Sequence, residues 1–256
     1  MKQIKNNPIL ENILKTKKIN VDNNRTIDVK YNISEEQGKF LQNIIQKIHA
    51  KKIIEIGTGM GISSLFILDA LNNVKDSKFV TIDPFQSQFY NVGINNIELA
   101  GYKKLTKFYR IPSYLALPQL QQDNVTFDFA FIDGYHLFDY ALTDFFYIDK
   151  MLKIGGVVAF DDTKFPAVHK VCRYIITNRN YKVYKYYEHK HYNKKVTFKH
   201  ILFFKILKKL KKFYYLKEDI INPDEKLGFS PFSRCIAFQK IGDDDNYRTE
   251  GFHFPF

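Results

Sequence analysis

The chain has 256 residues, a net charge of +12, 45% hydrophobic and 26% charged residues, which suits one large α/β domain in water and would cramp two. There is no run of about 18 apolar residues to span a membrane, and a start carrying Lys2, Lys5, Asn6, Asn7 and Pro8 does not read as a signal peptide. Cys172 and Cys235 form neither a disulfide framework nor a zinc pattern, so a reducing cytoplasmic setting is expected. The basic excess could draw nucleic acid, anionic lipid or acidic substrates. It also accompanies a general abundance of Lys, Ile, Asn, Phe and Tyr, which carries no information about partners.

Residues 1–33 are polar and mixed, with Asn23-Asn24 as a turn, and residues 1–50 are read as an N-terminal helical extension. Ser34 followed by Gln37 is a capping-box pattern. The helix it opens carries Phe40, Leu41, Ile44, Ile45 and Ile48 on one face. Ile53 to Ile56 is the first strand of the main sheet, Gly57-Thr58-Gly59-Met60-Gly61 a tight turn, and Ser63 to Leu71 a helix with Ser63 and Ser64 as candidate caps. Lys78 to Ile82 is a second strand closed by Asp83-Pro84, followed by a helix over Phe89 to Ala100 and a third strand over Leu105 to Arg110. Phe127 to Ile132 is a fourth strand ending in Asp133-Gly134, and a helix spans Leu137 to Leu152 until Gly155-Gly156 stops it. Val157 to Phe160 is an unbroken apolar run, as in a strand buried on both faces, and Asp161-Asp162 ends it. A helix over Val168 to Ile176 and strands over Tyr181 to Tyr187 and Arg234 to Lys240 complete the pattern.

Between those last strands, residues 188–230 form a basic insert. Within 194–217, Phe203, Ile206, Leu207, Leu210 and Phe213 take one helical side, and Lys205, Lys208, Lys209, Lys211 and Lys212 the other. It reads first as a packed helix or a lid. Contact with an anionic membrane or with nucleic acid is the alternative. No repeat or linker divides the chain, so residues 1–256 are expected to form a single domain.

Strands alternating with helices predict an α/β fold with a mostly parallel sheet and helices on both faces. On such sheets ligands bind beyond the carboxyl ends of the strands. That rule places Gly57 to Gly61, Asp83, Asp133, Asp161 and Asp162 on one rim. The strand, glycine turn and helix suit a nucleotide-like ligand, because glycines allow close backbone approach and a helix N-terminus offers free N–H groups. Asp83, roughly 20 residues past the glycines, stands where a carboxylate can accept hydrogen bonds from ribose hydroxyls. Its other reading is the start of an Asp-Pro turn. Asp133, Asp161 and Asp162 either balance a ligand's positive charge or chelate a hard divalent cation. Each could also be a simple strand end or helix cap.

The spacing Gly57-x-Gly59-x-Gly61 after Glu55 resembles the first motif of class I S-adenosylmethionine (SAM) methyltransferases. Phe131-Ile132-Asp133-Gly134-Tyr135-His136, Asp144, Leu152 to Val157 and Asp161-Asp162 together resemble the metal-dependent O-methyltransferases of that class, nearest the branch with macrocin-type sugar-tailoring enzymes. The resemblance covers roughly residues 33–182 and the last strand. It implies a Rossmann-like seven-stranded sheet whose last strand is antiparallel, SAM as cofactor, and Mg²⁺ or another divalent cation on Asp133, Asp161 and Asp162. It implies cofactor contacts at Glu55, Gly57, Thr58, Gly59, Gly61, Ser63, Asp83, Ser113 and Asp133, with Ser113 on the adenine side. Catechol-type relatives use a Lys near the fourth strand as base. This chain has none there, so His136 is taken as the base beside Asp133, with a hydrogen-bonded structural role as its other reading. The expected substrate is a small hydroxylated molecule, with sugars included, and family habit suggests a homodimer.

Overall fold

The computed structural model describes residues 4–22, 24–30, 32–188 and 223–243. The basic stretch 194–217 and the tail from residue 244 lie outside the described residues. No described helix is long and apolar enough to cross a membrane.

The N-terminal extension is more than helical. Helix α1 (Pro8–Thr16) begins at Asn7, whose side chain accepts a hydrogen bond from the Ile9 amide, and a small antiparallel hairpin follows, β1 (Lys18–Asn20) with β2 (Thr26–Asp28). Three-residue strands are too short for alternation to show, which is why a purely helical extension was expected. Asn7 fixes this extension to the body, since its backbone N–H donates to Asp69 and its side-chain amide to the Ala100 carbonyl.

Helix α2 (Glu35–Lys47) starts at Ser34, whose hydroxyl accepts from the Gln37 amide. The capping box is only half made, because the Gln37 side chain turns toward Asp161 instead.

The main sheet contains β3 (Lys52–Ile56), β4 (Lys78–Ile82), β5 (Thr106–Tyr109), β6 (Phe127–Ile132), β7 (Leu152–Phe160), β8 (Tyr181–Glu188) and β9 (Ser233–Lys240). Its order is β5-β4-β3-β6-β7-β9-β8. The pairs from β5 to β7 are parallel, and β9 runs antiparallel to both neighbours. This is the Rossmann-like seven-stranded arrangement with an antiparallel last strand. Alternate side chains enter two separate cores. Ile53, Phe79, Phe129, Val157 and Ala237 join α1, α2 and helix α3 (Ile62–Leu71) on one face. Ile54, Val80, Ala130, Val158 and Phe238 join helices α5 (Ser113–Gln122), α6 (Phe138–Met151) and α7 (Pro166–Asn178) on the other. Covering both faces explains why these strands read as continuous apolar runs.

Some sequence boundaries move. The cap of α3 is Gly61, in a left-handed conformation, and neither Ser63 nor Ser64 caps it. Ser64 is drawn to Glu55 and Ser63 faces the cavity described below. The expected helix from Phe89 splits into a short 3-10 turn (Gln86–Phe89) and α4 (Val92–Leu99), because Tyr90 and Asn91 both take positive φ. Strand β7 starts directly after α6, and Gly155, at φ +84, bends it rather than ending the helix.

Candidate functional site

One backbone device assembles the site. The residue after each central strand donates its N–H to the last carbonyl of a neighbour: Gly57 to Ile82, Asp83 to Tyr109, Asp133 to Ile56 and Asp161 to Ile132, at 2.8 to 3.0 Å. The parallel ladder thus continues one step past each strand and sets these residues in a row on the rim. They line a cavity of about 750 Å³, together with Thr58, Gly59, Ser63, Ser113, His136 and Asp162.

The glycine turn closes under tight constraint. At Gly57 (φ +93) a β-carbon would lie 2.0 Å from the Asp133 carbonyl oxygen, so only glycine lets β3 and β6 end side by side. Gly59 (φ +49) differs, since a β-carbon there would meet nothing within 4 Å and would enter the cavity. The Cα of Gly59 is therefore open to approach by a ligand, while its N–H and carbonyl are held by Asp83 and Gln86. Asp83 serves its turn and the glycine loop at once. Its Oδ1 accepts from the Phe85 amide, and its Oδ2 from the Gly59 amide at 2.8 Å and the Gln86 side chain at 2.7 Å. Both sequence readings of Asp83 are thereby compatible.

Glu55 stands behind the turn, fully buried, and does not line the cavity. Its Oε2 accepts from the Ser64 and Thr81 hydroxyls, and its Oε1 has no hydrogen-bond partner among the described residues. Burial pushes its pKa up to about 7 against those hydrogen bonds. The residue braces α3 and β4 around the turn.

The acids gather beyond β6 and β7. Oxygen atoms of Asp133 and Asp162 and a ring nitrogen of His136 all lie within 4.8 Å of one another. His136 Nε2 is 3.4 Å from Asp133 Oδ1 and 3.5 Å from Asp162 Oδ2, yet is buried with no hydrogen-bond partner among the described residues. Asp161 is directed otherwise. Its Oδ1 accepts from Gln37 Nε2 at 2.6 Å and from the Asp162 amide at 2.7 Å. Burial, reinforced by the neighbouring carboxylates, raises the pKa of Asp133 and of Asp161 well above the usual carboxylate range. Crowded acids, an orphaned imidazole nitrogen and oxygen-rich donors fit a hard divalent cation.

Several lining residues carried no sequence signal. Gln37 was read as a cap, and its role appears only once α2 packs against the end of β7. Phe165 lies against the His136 ring, with centroids 5.1 Å apart and planes at 31°. Phe85, Tyr135, Tyr140 and Tyr114 form a chain of ring contacts along another wall. Arg234, on β9, completes the rim. His169 stays outside the cavity, pairing with Asp224, which also receives the buried Arg173.

A family model described as a methyltransferase domain matches residues 54–163, from β3 to just past the paired acids. Over that segment the chain is similar to a methyltransferase domain. Among curated relatives of this domain, caffeoyl-CoA O-methyltransferase 2 of Petunia hybrida is 32% identical over 137 residues, 51% of this chain and 53% of that protein. Tapetum-specific methyltransferase 1 of Arabidopsis thaliana is 31% identical over 133 residues, 50% and 53% of the two chains. The chain spans about half the length of the curated relatives it matches. An O-methyltransferase from Bacillus cereus, solved in complex with SAH, superposes with a TM-score of 0.53 at 24% identity, over 66% of this chain and 78% of that one. That likeness is one of fold. The matched segment contains Gly57, Gly59, Gly61, Asp83, Asp133, His136, Asp161 and Asp162, but neither Gln37 nor Arg234.

Proposed function

We propose that the protein is a SAM-dependent O-methyltransferase that methylates a hydroxyl of a small molecule, sugars included, with the help of a divalent cation such as Mg²⁺. The observation that carries this reading is the meeting of Asp133, His136 and Asp162 within 4.8 Å, in the same cavity as the open Cα of Gly59. The methyltransferase names of the curated relatives support it. The mutual repulsion of the acids supports a cation among them, held by Asp133 and Asp162 with Asp161 close behind, which leaves the His136 nitrogen available as a base.

Bound here, the sulfonium cofactor supplies an electrophilic methyl group and the cation lowers the pKa of the acceptor hydroxyl. The chain itself positions the reactants, moves a proton and excludes water. Gly59 gives the ligand close approach, Gly57 and Gly61 let the turn pack against the Asp133 and Gly93 backbones with Gly61 outside the cavity lining, and Asp83 offers its carboxylate to ribose hydroxyls. Thr58, Ser63 and Ser113 add polar contacts along the cofactor's path. His136 accepts the hydroxyl proton at Nε2. Asp133 and Asp162, on either side of that atom, stabilise the resulting imidazolium, and Phe165 holds the ring in place. Two buried, unpaired thiols, Cys172 and Cys235, suit a reducing compartment such as the cytoplasm.

The test is SAH release from SAM across a panel of catechols and hydroxylated sugars, with Mg²⁺ or with EDTA. Turnover with an acceptor that EDTA abolishes is expected. Turnover indifferent to EDTA would overturn the cation's part, and no SAH across the panel would overturn the acceptor class.

A further inference from the structure

Arg234 is the only lysine or arginine among the described residues lining the cavity. Its backbone is clamped beside the acids: the Thr163 amide donates to the Arg234 carbonyl at 3.1 Å, and the Thr163 hydroxyl donates to the Ser233 carbonyl at 2.7 Å. Its guanidinium is hardly engaged. Among the described residues it makes no hydrogen bond, and its one ion pair, to Asp162 Oδ1, stretches to 4.0 Å with the side chain 39% exposed. A planar fork of five donors is thus held at the rim with its hydrogen-bonding capacity unspent.

We propose that Arg234 anchors a carboxylate on the acceptor, so that the substrate is a small aromatic hydroxy acid. The inference rests on the methyl-transfer reading and names its substrate class. Three features converge on it. A guanidinium matches a carboxylate in a bidentate pair, and Arg234 lies beside Asp162, so hydroxyl and carboxylate belong to one compact molecule. The exposed faces of Phe165 and Tyr135 offer stacking surfaces for a planar body between those ends. The four lining carboxylates, Asp83, Asp133, Asp161 and Asp162, favour a singly charged carboxylate over a phosphate dianion, which they would repel more strongly.

The test compares 3,4-dihydroxybenzoate with its neutral counterpart 3,4-dihydroxybenzyl alcohol. Each is titrated calorimetrically into protein saturated with SAH and Mg²⁺. Wild type binds the acid about tenfold or more tightly than the alcohol, as a charge-assisted pair implies. Arg234→Gln removes the preference while keeping the wild-type affinity for SAH, which also reports that the variant is folded. Arg234→Lys, which keeps the charge but not the fork, retains part of it. Equal binding of acid and alcohol by wild type, a preference that survives in Arg234→Gln, or binding of neither compound would overturn the proposal. Failure of wild type to bind SAH would instead count against the methyl-transfer reading beneath it.

Discussion

Two glycines two residues apart should respond oppositely to the same added methyl group. Gly57→Ala puts a β-carbon 2.0 Å from the Asp133 carbonyl oxygen and 2.7 Å from its carbon, where ordinary contact begins at 3.4 Å. The neighbour is backbone, held by the Asp133 N–H to Ile56 O bond, and cannot swing aside. A side chain at φ +93 costs about 1–2 kcal/mol, and forcing the strand ends apart adds about 1–3 kcal/mol. The sum, roughly 2–5 kcal/mol, is a large part of the 5–15 kcal/mol typical of a domain. Gly59→Ala carries only the conformational cost of about 1–2 kcal/mol, because its β-carbon meets nothing within 4 Å. That methyl instead occupies ligand space. Guanidinium melts followed by circular dichroism, with SAH titrations on the same samples, separate the two effects. Gly57→Ala should be the less stable by about 1–3 kcal/mol, and Gly59→Ala should stay folded while losing at least about tenfold in SAH affinity. Equal stabilities, or Gly59→Ala binding SAH like wild type, would refute the geometry of the turn.

Buried Glu55 ionises near 4.5 when unfolded and at about 7 when folded, so the unfolded chain sheds that proton first. The native state therefore loses on the order of 3 kcal/mol from this group as pH rises from about 4.5 to above 7. Buried Asp144, also pushed up to about 7, acts in the same direction. Denaturant melts across pH should fall toward alkaline values, and Asp144→Asn should flatten the slope; a profile that rises with pH would contradict both. Asp133→Asn should abolish Mg²⁺ binding in calorimetry, whereas Gln37→Ala, which frees Asp161 without removing a carboxylate, should weaken it less. The reverse ranking would show Asp161 to be the principal cation-binding group. Arg173 is fully buried against Asp224, so Arg173→Met, which leaves that carboxylate with His169 alone, should destabilise by about 2–4 kcal/mol, measured by urea unfolding. A cost under about 1 kcal/mol would mean that His169 alone satisfies Asp224.

The central strands β3, β4, β6 and β7 were legible because both sheet faces are covered and each is a largely apolar run followed by Gly or Asp. The glycine spacing and the acids at strand ends place Gly57, Gly59, Asp83, Asp133, Asp161 and Asp162 on one rim from sequence alone, since a parallel sheet fixes where its carboxyl ends lie. What stayed hidden depends on packing between distant segments. Gln37 meets Asp161 across 124 residues, and in sequence it is only the third residue after a Ser cap. Glu55 looked like a ligand contact because it adjoins the glycines, but strand alternation turns it away from the cavity toward Ser64 and Thr81. The hairpin at Lys18–Asp28 is too short to leave a periodic trace. Arg234 stands at the start of a strand like any other basic residue, and only the antiparallel placement of β9 beside β7 brings it to the acids.

The central claim is a methyl-donor site at the glycine turn that adjoins a cation site among the acids. The measurement that tests it most directly is calorimetric titration of SAM and of Mg²⁺, separately and together, into wild type and Asp133→Asn. The account predicts SAM binding to wild type and a Mg²⁺ site that disappears in the variant. Absence of SAM binding to wild type would contradict the account outright, and a Mg²⁺ site unaffected by Asp133→Asn would contradict the placement of the cation.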